Sequence, residues 1–172
     1  MPKEVLERLR NYHSKSYFEK AALNIMVKQT PDNLKDPELK KLFSSLDTAG
    51  DGMISLTELK DKIKESHLIE CSDKELKNLI NELDYAGNGK INYSEFFAAA
   101  LDVHQFFSEA QLRSAFSIFD LKHDNQISAL ELQKGFHKLG QEISEEQAQK
   151  LIELHDKNHS GTITFEEFKS IF

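Results

Sequence analysis

Asp156-Lys157-Asn158-His159-Ser160-Gly161-Thr162-Ile163-Thr164-Phe165-Glu166-Glu167 is the stretch that decides the fold. Numbered from Asp156, it offers oxygen at places 1, 3, 5, 7, 9 and 12, the seventh through a backbone carbonyl. Gly161 stands at place 6, where such a loop must turn with positive φ. Oxygens converging on one point suit a hard divalent cation, calcium above all. The candidate ligands are Asp156, Asn158, Ser160, Thr162, Thr164 and Glu167, the last binding through both oxygens. His155 and His159 stand four apart but straddle the start of the loop rather than sharing a helical face, which argues against zinc.

Outward from the loop, the flanks read as helices. Ser144-x-x-Gln147 is a capping box, followed by the stripe Ala148, Leu151, Ile152 and His155, in which only His155 is polar. On the far side, Phe168 and Phe172 stand four apart. The same unit recurs. Helix starts at Asp36-Pro37, Ser72-x-x-Glu75, Ser108-x-x-Gln111 and Ser144 are spaced by 36 residues. The other stripes are Leu39/Leu42/Phe43/Leu46, Leu76/Leu79/Ile80/Leu83 and Leu112/Ala115/Phe116/Phe119. Ile54, Ile91, Ile127 and Ile163 all hold place 8, which predicts a short antiparallel contact between paired loops. The expected fold is all-α: two paired lobes over 36–103 and 104–172, preceded by a long amphipathic helix within 1–35. Asp102-Val103-His104-Gln105 reads as the hinge.

The other three loops follow the fourth with departures. The first offers Asp47, Asp51, Met53 (by its carbonyl), Ser55 and Glu58, and Ala49 leaves place 3 without a side-chain oxygen. The second offers Asp84, Asn88, Lys90 (by its carbonyl), Asn92 and Glu95, with Ala86 at place 3. The third offers Asp120, Asp124, Gln126, Ser128 and Glu131. There Lys122 at place 3 turns a positive charge toward the ion, and Asn125 replaces the glycine, since asparagine tolerates the left-handed region at some cost. Up to four calcium ions are expected, with occupancy of the third loop left open. Magnesium, which demands a smaller octahedral shell, is expected at most as a resting occupant.

Charge divides the chain. Residues 1–35 hold seven Lys/Arg against four acids, a net of +3, while the whole chain carries −7. The acidic remainder argues against nucleic acid as a partner. No run approaches 18 apolar residues, so no transmembrane span is expected. Met1-Pro2-Lys3-Glu4 is neither a signal peptide nor a myristoylation sequence, and a helix opening this early suggests a piece of a longer protein. The single cysteine, Cys71, excludes an internal disulfide and fits a reducing compartment.

Within the basic stretch, Phe18, Ala22, Ile25 and Met26 follow the anchor spacing of a helix that lies in an apolar groove. With Tyr17, Ala21, Leu23 and Val27 the segment is apolar nearly all round, which predicts burial. His13, Ser14 and Ser16 interrupt the stripe before it, Pro31 ends it, and Arg8, Arg10 and Lys15 are expected in solvent or facing acidic surface. The plainer reading makes Lys3–Lys28 a packing helix of the N-terminal lobe. Three Met against twelve Phe imply a stiff groove suited to one target.

The four loops are EF-hands, and the whole chain resembles the activation region of calcium-dependent protein kinases of the plant, ciliate and apicomplexan type. Two stretches carry the narrower likeness. Phe18-Glu19-Lys20-Ala21-Ala22-Leu23-Asn24 is similar to that family's junction helix. Glu95 to Asp102, with Phe106-Phe107-Ser108, is similar to its link between lobes and unlike the long charged helix of calmodulin. Ala49, Ala86 and Lys122 depart from the family's usual ligands. The resemblance implies a regulatory region whose junction helix blocks a serine/threonine kinase domain at low calcium. It implies that helix and that domain as partners, in a cytoplasmic setting. No catalytic residue is expected here, because the chain has no Gly-rich phosphate loop, no His-Arg-Asp and no Asp-Phe-Gly. The alternative is a free-standing calmodulin-like or light-chain-like sensor or adaptor acting in trans.

Overall fold

The computed structural model describes residues 2–65 and 72–172; Cys71 lies outside them. The chain forms two compact units, one of residues 1–15 and 27–102, the other of 16–26 and 103–172.

In the first unit, helix α1 (Lys3–Asn11) leads into a 3-10 turn at Tyr12–Ser14. Beyond α2 (Tyr17–Gln29), two helix–loop–helix hands follow: α3 (Pro37–Leu46), β1 (Met53–Ile54) and α4 (Leu56–Glu65), then α5 (Asp73–Leu83), β2 (Ile91–Asn92) and α6 (Tyr93–Ala100). Asp36 caps α3 by accepting from the Glu38 N–H, with Pro37 in the first turn, and Ser72 and Glu75 close the capping box of α5. β1 and β2 pair antiparallel, Ile54 opposite Ile91, and both isoleucines are fully buried. Phe43 packs edge-on against Tyr93 and tilts over Phe96, a ring cluster at the centre of this core.

The second unit takes residues 16–26, that is Ser16 and most of α2, and continues with α7 (Val103–Phe106), so the expected hinge stretch falls where the units divide. Its hands are α8 (Glu109–Phe119), β3 (Gln126–Ile127) and α9 (Ala129–Lys138), then α10 (Glu145–His155), β4 (Ile163–Thr164) and α11 (Phe165–Lys169). Capping boxes at Ser108 and Ser144 start α8 and α10 as their spacing predicts, and Ile127 pairs with Ile163. No helix among the described residues is long and apolar enough to cross a membrane.

The N-terminal stretch differs from one long helix. Ser14 Oγ donates to the Asn11 carbonyl at 2.7 Å and closes the first helix. Ser16 then opens a second: its hydroxyl accepts from the Glu19 N–H, and the Glu19 carboxylate accepts from the Ser16 N–H. Such local side-chain bonds compete with continuation of a helix and instead specify a new start.

The first half is packed within its unit. α1 packs against α5 and α6 within its unit, burying Leu6, Leu9 and Tyr12 to about 1% exposure each. Arg8 donates to the Ala100 carbonyl at 3.2 Å and pairs with Asp102 at 3.3 Å, satisfying the C-terminal end of α6. α1 is therefore core. Leu9→Ala is expected to lower the stability of the first unit by about 2–5 kcal/mol in urea unfolding, the range for emptying a packed leucine site. An unshifted midpoint would show that α1 is peripheral.

Candidate metal centres

The four loops share one hydrogen-bond scheme, set by which backbone N–H groups each carboxylate accepts. At place 1, Asp47, Asp84, Asp120 and Asp156 accept from the N–H groups of places 5 and 6 at 2.6–3.2 Å. At place 12, Glu58, Glu95, Glu131 and Glu167 reach back to the N–H of place 3 at 2.8–3.1 Å. Each also accepts from the N–H of place 9, while its own N–H is taken by the side-chain oxygen of Ser55, Asn92, Ser128 or Thr164. Places 9 and 12 thus form the capping box of the exiting helix, a second role that the ligand pattern did not reveal.

Backbone conformation agrees with the donor sets. Place 6 lies in the left-handed region in every loop, with Asn125 at φ 63° where the others have glycine. Place 4 does as well, and there His123 and His159 stand where the first two loops use glycine. At place 7 the side chains of Gln126 and Thr162 meet across the paired loops at 3.0 Å, and the Thr162 carbonyl turns into its own loop, where it accepts from Ser160 Oγ at 3.2 Å.

These donors fit a hard divalent cation, with differences between loops. In the third, Asp120, Asp124 and Glu131 bring carboxylate oxygens within 4.8 Å of one another. Lys122 Nζ nevertheless lies 3.5 Å from Glu131 Oε2, so the positive charge expected at place 3 does reach a candidate ligand. In the first, Asp51 is held by Lys90 of the second loop at 2.6 Å, a contact 39 residues long that no local pattern announces. The fourth keeps an oxygen at every ligand place.

The acids differ in their surroundings. Backbone N–H bonds, first from Ser55 and then from Ala49, outweigh burial and hold Glu58 down to about 2, against an ordinary 4.5. Burial instead pushes Glu95 up, and the bonds from Asn92 and Ala86 only partly offset it. For Glu131 and Glu167 burial is outweighed by bonds from Ser128 and Thr164, and both fall.

The groove anchors come together in the second unit. Phe18 is fully buried, its ring centroid 5.1 Å from Phe119, 5.7 Å from Phe168 and 5.9 Å from His155. Tyr17 stacks on Phe136 at 5.0 Å, and Ala22, Ile25 and Met26 are buried. His155, the polar break in its stripe, has a reason: its Nε2 meets Ser16 Oγ at 2.9 Å.

The Glu58 shift has a definite sign. Its folded value is depressed, so the stabilisation it brings to the metal-free first unit is present above about pH 4.5 and is lost as pH falls toward 2. Acid titration of metal-free protein should show Glu58→Gln flattening that limb. An unchanged limb would assign the acid sensitivity elsewhere.

Comparison with known proteins agrees with this geometry. The EF-hand domain pair model matches residues 36–101 and 109–172. Calcium-dependent protein kinase 5 of Plasmodium falciparum (isolate 3D7) is 34% identical over 171 residues, 96% of this chain and 29% of the relative. Calcium-dependent protein kinase 11 of Oryza sativa subsp. japonica is 32% identical over 95% of this chain and 28% of the relative. For calcium-dependent protein kinase 34 of Arabidopsis thaliana the figures are 30%, 95% and 31%. The chain spans under a third of the length of these relatives, and the resemblance drawn from the junction and link stretches is borne out. With two matched pairs covering most of its length, the chain belongs to the EF-hand family.

Proposed function

We propose that this chain is the calcium-responsive regulatory region of a calcium-dependent serine/threonine protein kinase, acting on a catalytic domain outside it. The observation that carries this reading is the seating of residues 16–26 in the second unit, with Phe18 enclosed by three rings. A sensor that serves other proteins has its apolar groove open to them, whereas here the groove holds a helix of its own chain. The relatives' names, all calcium-dependent protein kinases, support the same assignment.

In this reading the residues at places 1, 5, 7, 9 and 12 of each loop, with Asn158 at place 3 of the fourth, are calcium ligands. Bound calcium supplies a divalent centre that gathers six to eight oxygens. Up to four sites are involved, with magnesium as resting occupant and the cytoplasm as the setting. Glu58, Glu95, Glu131 and Glu167 each tie a loop's entrance to its exiting helix, so any change in what these carboxylates hold is passed to α4, α6, α9 and α11. Those helices belong to the units that grip α1 and residues 16–26. The segment 3–29 is the partner in cis, and its changed seating relieves a block on the kinase domain.

Two measurements test this. Glu58→Gln and Glu167→Gln should each remove one calcium from the stoichiometry in calorimetry; full stoichiometry in either variant would overturn the ligand assignment. The pair Phe18→Ala and Ile25→Ala should weaken calcium binding, because a helix that prefers the loaded state raises calcium affinity by the factor calcium raises its own. The coupling expected is roughly 5–150-fold. Unchanged affinity with helical content intact would favour the free-standing sensor or adaptor acting in trans.

A further inference from the structure

We propose that Lys90 is a built-in competitor at the first loop: its ammonium, supplied by the second loop, occupies Asp51 and sets how readily the first loop takes a divalent ion. The inference rests on the reading of that loop as a calcium site. Both oxygens of Asp51 are engaged, Oδ1 by the Met53 N–H at 3.0 Å and Oδ2 by Lys90 Nζ at 2.6 Å. A share of Asp51 for a metal therefore comes at the expense of Lys90.

The third loop provides an internal comparison. It carries the same three acids at places 1, 5 and 12, and there they converge within 4.8 Å. Among the described residues the equivalent trio Asp47, Asp51 and Glu58 does not converge in that way, and its place-5 acid is the one drawn to a lysine. The lysine holds Asp51 below the usual carboxylate range and is itself raised by that contact.

Loop pairing does not require this charge. Thr162, at the same place of the fourth loop, meets Gln126 through a neutral hydrogen bond. Nor does the ligand role of place 7 require it, since any residue there offers its carbonyl. The β1–β2 register sets Ile91 opposite Ile54, which brings Lys90, the residue before Ile91, alongside the first loop. Loading of the first loop frees the lysine, which links the two loops of this unit electrostatically.

The test is calcium titration of the whole chain, followed by NMR at the Gly52 amide for the first loop and the Gly89 amide for the second. Lys90→Met should raise first-loop affinity roughly two- to five-fold, the scale of an exposed ion pair. Lys90→Arg, which keeps the charge, should stay near wild type. Lys41→Met makes the same change in net charge at an exposed site on α3 and should have a smaller effect. An unmoved Gly52 midpoint in Lys90→Met, or an equal shift in Lys41→Met, overturns the proposal while leaving the calcium site in place. A Gly52 amide silent to calcium in wild type and in Lys90→Met alike removes the site reading and the proposal together.

Discussion

A glutamate carboxylate tied at once to the entrance of its loop and to the start of the next helix is the constraint on which each hand depends. Through the N–H of place 3 it folds the loop back over nine residues, and through the N–H of place 9 it caps the exiting helix. The loop's shape and the helix's direction are therefore a single variable. Place 1 adds the complementary clasp, accepting from places 5 and 6 and holding the left-handed turn between them. The carboxylates point inward before any cation is considered, because backbone donors already draw them there.

The apolar interiors complete what the loops begin. Each unit is built from two hands plus half of the N-terminal segment: α1 in one, residues 16–26 in the other. The break between the halves is polar and local. Ser14 ends one helix and Ser16 caps the next, so a stretch of five residues, Tyr12 to Ser16, separates two buried helices. Around Phe18 the rings of Phe119, Phe168 and His155 meet at centroid distances near those of favourable aromatic pairs. Stiff rings in place of methionine make that pocket selective for one side chain.

Periodic features were legible in the sequence because each depends on neighbours within a turn or a loop. The caps at Asp36, Ser72, Ser108 and Ser144, the 12-residue loops and the pairing of place-8 isoleucines all appear where their spacing put them. What the sequence did not disclose lies in contacts between distant positions. Leu6, Leu9 and Tyr12 carried no signal of their own in a basic, interrupted stretch, and it is the packing against α5 and α6 that makes them core. His155 looked like a flaw in a stripe until Ser16 met it across 139 residues. Lys90 could be assigned a backbone role from its place in the loop, but its ammonium serves the neighbouring loop. The third loop combined both cases: the intruding charge of Lys122 followed from its position, whereas the convergence of Asp120, Asp124 and Glu131 required coordinates.

The division of the N-terminal segment also bears on competition from outside. A target joined to its receptor by a short connector is met at an effective concentration on the order of millimolar, however dilute the protein. α1 is such a target, continuous through residues 16–26 with the rest of its unit, whereas residues 16–26 reach the rest of theirs only through the longer tether of residues 27–102. A foreign helix present at micromolar levels would have to bind on the order of a thousandfold more tightly than α1 to displace it. Fidelity in this protein is thus a matter of tether length as much as of side-chain fit.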